Sequence, residues 1–268
     1  MSFATLPMYD LPEAAEATAE FWRGLARHFR QAGIEDVPDD FTRRPELPAH
    51  WISSDLLFSQ TCGYPLRHAV MGKLQLVATP CYEAAGCEAS SYRSILLVPA
   101  SSRARSLAEL RGARVAFNGT DSQSGYNALR YMVAPLARGG RFFGEVVETG
   151  GHAASLAAVA AGKADVAAID CVSLALFRRY RYEAVKEVRE LCLSPAAPSL
   201  PYVTAGASDF DLVARLRTGL RAAMADPALA AARAALLLKD IMLLPDSAYE
   251  RIDEMEQAAI ARGYPVLA

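Results

Sequence analysis

The sequence predicts an α/β protein built as two lobes. Three observations lead to this prediction: strand-like and helix-like segments alternate over most of the chain, two stretches rich in helix breakers bracket a middle segment, and the C-terminal part changes to purely helical patterns. A chain of 268 residues with 52% hydrophobic content can bury cores of this size. Alternating strands and helices favour mostly parallel sheets flanked by helices in each lobe.

Apolar, β-branched runs predict the strands, and apolar residues at helical spacing predict the helices. The predicted strands are Ala4–Tyr9, Leu56–Gln60, Leu74–Pro80, Tyr92–Val98, Arg114–Asn118, Glu145–Thr149, Val166–Asp170, Val188–Leu193 and Tyr202–Ala205. The predicted helices are Pro12–Gln31, Ser106–Leu110, Gly125–Leu136, His152–Ala161, Val172–Tyr180, Asp209–Met224, Pro227–Leu238 and Asp246–Arg262. The Arg43-Arg44 pair is predicted to lie in a solvated turn.

The chain is predicted to cross between the lobes at two places. Residues 83–91 and the Pro- and Ser-rich stretch 194–201 both lack a regular pattern. We therefore assign 1–86 and 200–268 to a first, discontinuous lobe with the C-terminal helices, and 87–199 to a second lobe. A chain that leaves one lobe, builds another and returns is expected to bind its ligand in the cleft between them and to close by a hinge.

Charge and hydropathy exclude two classes of partner. The 28 basic and 30 acidic residues give a net charge of -2 without a basic block, so nucleic acid is not expected as a partner. No apolar run reaches the length that a membrane helix needs, so direct membrane insertion is not expected. The first residues lack the pattern of a secretion signal, which predicts a cytoplasmic protein as the sequence stands and a periplasmic one if an export segment precedes it.

The cysteines fit a reducing compartment better than a disulfide framework. Their number is five, which is odd, and no C-x-x-C pair indicates redox or metal chemistry. Cys81 and Cys87 are close enough in sequence to form a disulfide across the turn between them. The alternative is that both stay free thiols. His28, His50 and His68 stand alone without ligand spacing, so they are expected on the surface or in packing roles, and no metal or other cofactor is expected.

The segment Asp121–Gly125 carries the clearest functional signal. The predicted strand Arg114–Asn118 runs into it and a predicted helix leaves it, so backbone N–H groups and the hydroxyl groups of Ser122 and Ser124 converge on one spot. Such a spot suits an anion such as phosphate. The same residues also suit a plain helix N-cap with a tight Gly turn.

Several motifs together resemble the PhnD-like family, the solute-binding proteins of phosphate, phosphite and phosphonate ABC transporters. They are found at Gln60–Pro65, Tyr92–Val98, Leu107–Gly112, Asp121–Gly125, Gly150–Val159 and Gly162–Asp170. The resemblance covers most of the chain to about residue 206. It implies the type 2 periplasmic-binding-protein fold, capture of a small oxyanion for an ABC-type uptake system, and an ABC transporter permease as a partner.

The resemblance also implies a set of ligand-binding residues. The family's Ser-Thr-Ser-Gly turn, which holds the phosphonyl oxygens, corresponds to Ser122, Gln123, Ser124 and Gly125, with Gln in place of Thr. The family's histidine resembles His152, its tyrosines resemble Tyr64 and Tyr92, and Asp170 resembles a position near the ligand. From the residues alone, His152 also suits a helix N-cap or a solvated site, the tyrosines suit half-buried walls, and Asp170 suits a cap of the next helix.

One departure from the family affects the ligand, and the absence of enzyme motifs affects the expected function. The loop Pro198–Pro201 offers Ser199 and Leu200 where relatives that bind aminoalkyl phosphonates carry an acidic residue, which argues against an amine-bearing ligand. The chain lacks the motifs of hydrolases, zinc proteases and nucleotide-binding proteins, so recognition is expected instead of catalysis. One alternative is a cytosolic enzyme of the same fold, similar to chorismate dehydratase, with Asp170 or His152 as the base. The other alternative is a cytosolic ligand sensor.

Overall fold

The structure, a computed structural model, describes residues 1–43 and 45–268, so Arg44 of the predicted solvated turn lies outside the described residues. The chain divides into two compact units. Unit 1 comprises Met1–Glu83 and Pro198–Ala248, and unit 2 comprises Ala84–Ala197 and Tyr249–Ala268.

The bounds of the elements follow most of the predicted ones. Within the described residues the α-helices are α1 (Ala15–Gln31), α2 (Gly63–Arg67), α3 (Ala128–Val133), α4 (His152–Ala160), α5 (Cys171–Tyr180), α6 (Tyr182–Val185), α7 (Phe210–Ala225), α8 (Ala230–Ala235) and α9 (Glu250–Ala261). The strands are β1 (Phe3–Ala4), β2 (Leu56–Gln60), β3 (Leu74–Tyr82), β4 (Ser91–Tyr92), β5 (Ser94–Pro99), β6 (Arg114–Phe117), β7 (Glu145–Glu148), β8 (Val166–Asp170), β9 (Val188–Leu193), β10 (Ala197–Pro198), β11 (Tyr202–Ala205) and β12 (Leu238–Met242). A π-helical turn, Gln123–Asn127, runs directly into α3.

Unit 1 is built on a five-stranded sheet in the order β1-β2-β11-β3-β12. β1 pairs parallel to β2, whereas β11 runs antiparallel to β2 and β3, and β12 runs antiparallel to β3. Trp22, Leu25 and Phe29 form the buried face of α1, and the ring of Phe29 lies 5.2 Å from that of Phe58 in β2. The apolar face of α1 therefore covers this sheet.

Unit 2 is built on a second five-stranded sheet in the order β7-β6-β8-β5-β9. β6 pairs parallel to both β7 and β8, and β5 pairs antiparallel to β8 and β9. Val115, Leu129 and Val166 belong to the buried core of this unit. Three neighbouring parallel strands therefore end at the same edge of the sheet, which is the feature that positions the site.

The prediction of mostly parallel sheets is wrong in its detail, because both sheets are mixed. Among the described pairs of named strands, parallel pairing is confined to β1 with β2 and to the group β7-β6-β8. The strands β5 and β11, which follow crossings of the chain between the units, run antiparallel to their neighbours. Hydrophobic pattern identifies a buried strand but carries no information on its direction.

The C-terminal residues lie in a different unit from the predicted one. We expected 200–268 to belong to the first lobe, but the structure places Tyr249–Ala268, including α9, in unit 2. Ala259, Tyr264 and Leu267 are part of the core of that unit, so burial of their apolar surface holds the segment there. The expected return to the first lobe is made by α7, α8 and β12 instead.

Strand β12 was not predicted, since the sequence pattern extended the preceding helix to Leu238. The helix α8 ends at Ala235, and Leu237 adopts a φ of 58°, a left-handed conformation that stops a helix. The chain then pairs with β3 as an edge strand.

In the described residues, no helix combines the length and the apolar character that crossing a membrane requires.

All five cysteines lie in the described part of the chain, and none forms a disulfide. Cys81 lies in β3 of unit 1, whereas Cys87 lies in unit 2. The bridge between Cys81 and Cys87 that the sequence left open is therefore not formed. Instead, Sγ of Cys87 lies close to Sγ of Cys171.

Candidate functional site

Three helical segments begin at one edge of the unit 2 sheet. The parallel strands β6, β7 and β8 end at Phe117, Glu148 and Asp170, and they are followed by the turn at Gln123, by α4 and by α5. In open α/β sheets, ligands bind outside the carboxyl ends of such strands. The helix N-termini that meet there carry partial positive charge, which favours an anion.

The turn that opens the first of these segments is held by Ser122. Its side-chain Oγ accepts a hydrogen bond from the backbone N–H of Gly125 at 3.0 Å, and its carbonyl oxygen accepts from the N–H of Asn127 at 3.0 Å. The N–H groups of Gln123 and Ser124 come first in the helical segment and have no acceptor within it, as is general at helix starts. Ser122 is therefore the N-cap of this segment.

Gly125 lies where a side chain would not fit. A Cβ atom at this position would stand 1.8 Å from Oδ1 of Asn118 and 3.3 Å from Cε1 of His152. The absence of a side chain at Gly125 therefore lets Asn118, at the end of β6, and His152, at the start of α4, approach the turn from both sides. The structure thus brings Asn118, which the sequence interpretation did not identify, next to the turn, and the role of Gly125 in ligand binding stays a prediction.

The side chain of Gln123 makes hydrogen bonds within unit 2. Its amide Nε2 donates to Sδ of Met255 in α9 at 3.2 Å, and its Oε1 accepts from Nδ2 of Asn127 at 2.7 Å. The residue is buried by these contacts. The side-chain amide of Gln123 thus attaches the turn to the C-terminal helix, and the role of Gln123 in ligand binding stays a prediction.

Ser124, His152 and Asp170 lie together although they belong to three different elements. Oγ of Ser124 lies 2.9 Å from Nε2 of His152, and the same nitrogen lies 3.3 Å from Oδ2 of Asp170. The carbonyl oxygen of Ser124 accepts a hydrogen bond from Oγ of Ser94 in β5 at 2.9 Å. Ser124, His152 and Asp170 thus form one connected cluster, with Ser94 as a supporting residue that the sequence interpretation missed.

The electrostatics of His152 keep its ring neutral near pH 7. Burial lowers the pKa of His152 from its usual 6.5, and the charge of Asp170 opposes this shift only in part. Among the described residues, neither Nδ1 of His152 nor Oδ1 of Asn118 has a hydrogen-bond partner, although both atoms are buried. Buried polar atoms without partners are rare in folded proteins and point to a site that is completed by a ligand or solvent.

Asp170 caps α5, as one of its two interpretations predicted. Its Oδ1 accepts from the N–H groups of Val172 at 3.1 Å and Ser173 at 2.9 Å, while Oδ2 faces His152. Because Oδ1 accepts both capping hydrogen bonds, Oδ2 is the carboxylate oxygen that contacts the cluster. A cap of this kind stabilises a helix by about 1 kcal/mol.

The two predicted tyrosines belong to different units. Tyr92 is buried in β4, two residues before Ser94. Tyr64 belongs to α2 of unit 1, and its ring centroid lies 4.1 Å from that of His68. Their role in ligand binding stays a prediction.

In the described residues no group of three or more His, Cys, Asp or Glu side chains is arranged to hold a metal ion.

Comparisons with known proteins agree with this architecture. The chain is similar to a binding protein component of an ABC phosphonate transporter from Pseudomonas aeruginosa, with 17% identity over 97% of this chain and 87% of that one and a TM-score of 0.78. It is also similar to PhnD1 from Prochlorococcus marinus in complex with methylphosphonate, with 12% identity over 96% and 97% of the two chains and a TM-score of 0.74. XAC2383 from Xanthomonas citri bound to ATP gives 17% identity over 97% and 98% and a TM-score of 0.71.

These similarities confirm the predicted two-lobed periplasmic-binding-protein fold. A search of curated proteins found no match. The family described as ABC transporter, phosphonate, periplasmic substrate-binding protein matches residues 53–249, which is well over half of the sequence. The resemblance inferred from the sequence motifs is thereby confirmed, and the chain belongs to the family of periplasmic substrate-binding proteins of phosphonate ABC transporters.

Proposed function

We propose that this chain captures a small phosphorus oxyanion, such as a phosphonate, phosphite or phosphate, at the cluster formed by the turn Ser122–Gly125, His152 and Asp170, and delivers it to an ABC transporter permease. The observation that carries the proposal is the meeting of Ser124 and His152 at 2.9 Å at the starts of two helices. Family membership supports a binding role over the alternative of a lyase on the same fold.

The anion would be held mainly by neutral donors. The N–H groups of Gln123 and Ser124 and the hydroxyl of Ser124 converge at the start of the turn, and α4 begins at His152 beside them. Helix N-termini and aligned amides place partial positive charge at an anion without a buried Lys or Arg. A phosphonate has several acceptor oxygens, so it can use these donors together.

Asp170 sets a condition on the protonation state of the complex. A carboxylate 3.3 Å from His152 would repel a fully ionised anion in the same site unless a proton lies between them. That proton can be on the imidazole of His152 or on a ligand oxygen that donates to Oδ2. The site is therefore suited to an oxyanion that can carry or accept a proton, which favours phosphorus oxyanions over sulfate.

Replacing Ser124 with alanine is expected to weaken the affinity for methylphosphonate by about 1 to 3 kcal/mol, because one donor is lost in a buried site. The measurement is calorimetric titration at constant pH. Ser155→Ala is the matched control, since Ser155 is also buried in unit 2 but its Oγ pairs with Oγ1 of Thr149 at 2.6 Å. Equal affinities for the Ser124→Ala and Ser155→Ala variants would contradict the proposed site.

Binding is expected to take up a proton and to weaken as the pH rises. The pKa of unliganded His152 is lowered below 6.5 by burial, and a bound anion favours the protonated ring and so raises that pKa. Between the two pKa values the complex gains a proton, so the dissociation constant increases through this window, which begins below pH 6.5.

Calorimetry in buffers of different ionisation enthalpy measures this proton uptake. His152→Gln is the control, because an amide can still bond to Ser124 but does not titrate. The same proton uptake in the wild type and the glutamine variant would show that the proton goes to the ligand alone and not to His152.

A thermal-shift panel separates the ligand classes. A ligand that binds only the folded state raises the melting temperature by mass action. We expect shifts with methylphosphonate, phosphite or phosphate and smaller shifts with sulfate or small carboxylates. A shift with carboxylates alone would overturn the assignment of a phosphorus ligand. An aminoalkyl phosphonate is expected to gain nothing from its amine, because the loop Pro198–Pro201 carries no acidic residue.

A further inference from the structure

Two cysteines that are far apart in the sequence meet in unit 2. Sγ of Cys87 lies 3.3 Å from Sγ of Cys171, and the two residues are separated by 84 positions. The sulfur atoms of a disulfide are about 2.0 Å apart. A small approach of the two side chains would therefore be enough for a covalent bond.

The backbone around both cysteines is shaped for this meeting. Gly86 has a φ of 101°, and a Cβ atom at this position would lie 2.9 Å from Cβ of Cys171. The backbone just before Cys87 is therefore packed directly against Cys171. The N–H of Cys87 donates to the carbonyl oxygen of Ala84 at 3.0 Å, and that of Cys171 donates to the carbonyl oxygen of Arg93 at 3.0 Å. Backbone hydrogen bonds thus fix the positions of both residues.

The two thiols differ in exposure and in acidity. Cys87 is partly exposed, whereas Cys171 is buried at the first position of α5. A hydrogen bond from the thiol of Cys171 lowers the pKa of Cys87, and the same contact together with burial raises the pKa of Cys171. The thiolate is the form that attacks a disulfide, so Cys87 is the residue that an external oxidant would meet first.

We propose that Cys87 and Cys171 are a modification site that closes to an intramolecular disulfide when a small disulfide oxidant is present. The thiolate of Cys87 attacks one sulfur of the oxidant, which forms a mixed disulfide and releases one thiol. The sulfur of Cys171 then attacks Sγ of Cys87, loses its proton and releases the second thiol. Two protein thiols are oxidised and the oxidant is reduced to two thiols, which receive the two protons.

The proposal does not depend on the anion site, although the pair lies beside it. Cys171 follows Asp170, whose Oδ2 lies 3.3 Å from His152. The closed pair would attach the segment 84–91 covalently to the start of α5. It would also restrict the unfolded chain by a loop of more than eighty residues, which stabilises the folded state.

The test is incubation of the intact chain with glutathione disulfide, followed by thiol counting and peptide mapping under non-reducing conditions. We expect two of the five thiols to disappear, a single cross-linked peptide pair containing Cys87 and Cys171, and a melting temperature several degrees higher that returns to its starting value with dithiothreitol. Cys192→Ser is the matched control and is expected to close as the wild type does, because Cys192 lies in β9 and is not a member of the pair.

The single variants distinguish the proposed order of steps. Cys171→Ser is expected to stop at a glutathione adduct on Cys87, and Cys87→Ser is expected to keep its remaining thiols. Five unmodified thiols in the wild type, a stable glutathione adduct on Cys87 in the wild type, or a link between Cys81 and Cys87 would each overturn the proposal.

Discussion

Replacing Arg130 with methionine is expected to lower the free energy of unfolding of unit 2 by about 3 to 5 kcal/mol. The Arg130 side chain is 4% exposed, and its guanidinium group donates to Oε1 of Glu256 at 2.7 Å, to Oδ1 of Asn127 at 2.7 Å and to the carbonyl oxygen of Pro265 at 2.6 Å. Methionine would fill the space but leave the carboxylate of Glu256, whose side chain is only 14% exposed, without this cation. This cost arises from the charge that stays behind and not from lost volume.

Two further variants separate charge from packing. The double variant Arg130→Met/Glu256→Leu removes both charges and is expected to recover most of the lost stability, since a buried ion pair can often be replaced by apolar residues at little cost. Arg130→Lys keeps the charge but loses the planar group that donates from two nitrogens. The free energy of unfolding of this variant should lie between those of the wild type and Arg130→Met. Equal stabilities for Arg130→Met and the double variant would contradict the argument.

The measurement of this effect should follow unit 2 directly. Trp22 and Trp51 are the two tryptophans of the chain, and both lie in unit 1. Tryptophan fluorescence therefore reports on the unit that the substitution does not touch. Urea unfolding followed by circular dichroism, together with hydrogen exchange of α9, reports on unit 2.

Replacing Gly125 with alanine is expected to reduce methylphosphonate affinity roughly 30-fold or more, which is about 2 kcal/mol, and to cost about 1 to 3 kcal/mol of stability. The new methyl group would overlap Oδ1 of Asn118 and touch the ring of His152. Both side chains would have to move, so the hydrogen bond between Ser124 and His152 would lose its geometry. Calorimetric titration and thermal unfolding of the same sample measure the two effects.

Gly151→Ala is the matched control for this substitution. Gly151 is the N-cap of α4 with an extended φ of -177°, which any residue adopts, and nothing lies within 4 Å of a Cβ atom placed there. The control is expected to bind methylphosphonate nearly as the wild type does. If both alanine variants lost affinity equally, crowding against Asn118 and His152 would not be the reason.

The local features of the site could be predicted from the sequence because they depend on neighbouring residues. A strand that ends just before Ser122 and a helix that starts at His152 or after Asp170 are signalled by the residues themselves. For this reason the observed bounds of β2, β8, β9 and β11 equal the predicted ones. The cap at Asp170 was likewise one of its two predicted roles.

The features that were missed depend on contacts between distant parts of the chain. The amphipathic pattern of α9 shows that one face is buried, but not that Met255 would meet Gln123. The meeting of Cys87 with Cys171 joins residues that no local spacing connects. Asn118 gave one usable signal, since a polar residue at the end of a strand that precedes a ligand turn is well placed to face the ligand.

A crystal structure of the chain with methylphosphonate bound tests the central claim most directly. The account predicts phosphonyl oxygens at hydrogen-bond distance, about 2.7 to 3.2 Å, from the N–H groups of Gln123 and Ser124, from Oγ of Ser124 and from the ring of His152. Methylphosphonate held by other residues, with the hydrogen bond between Ser124 and His152 unchanged, would contradict it.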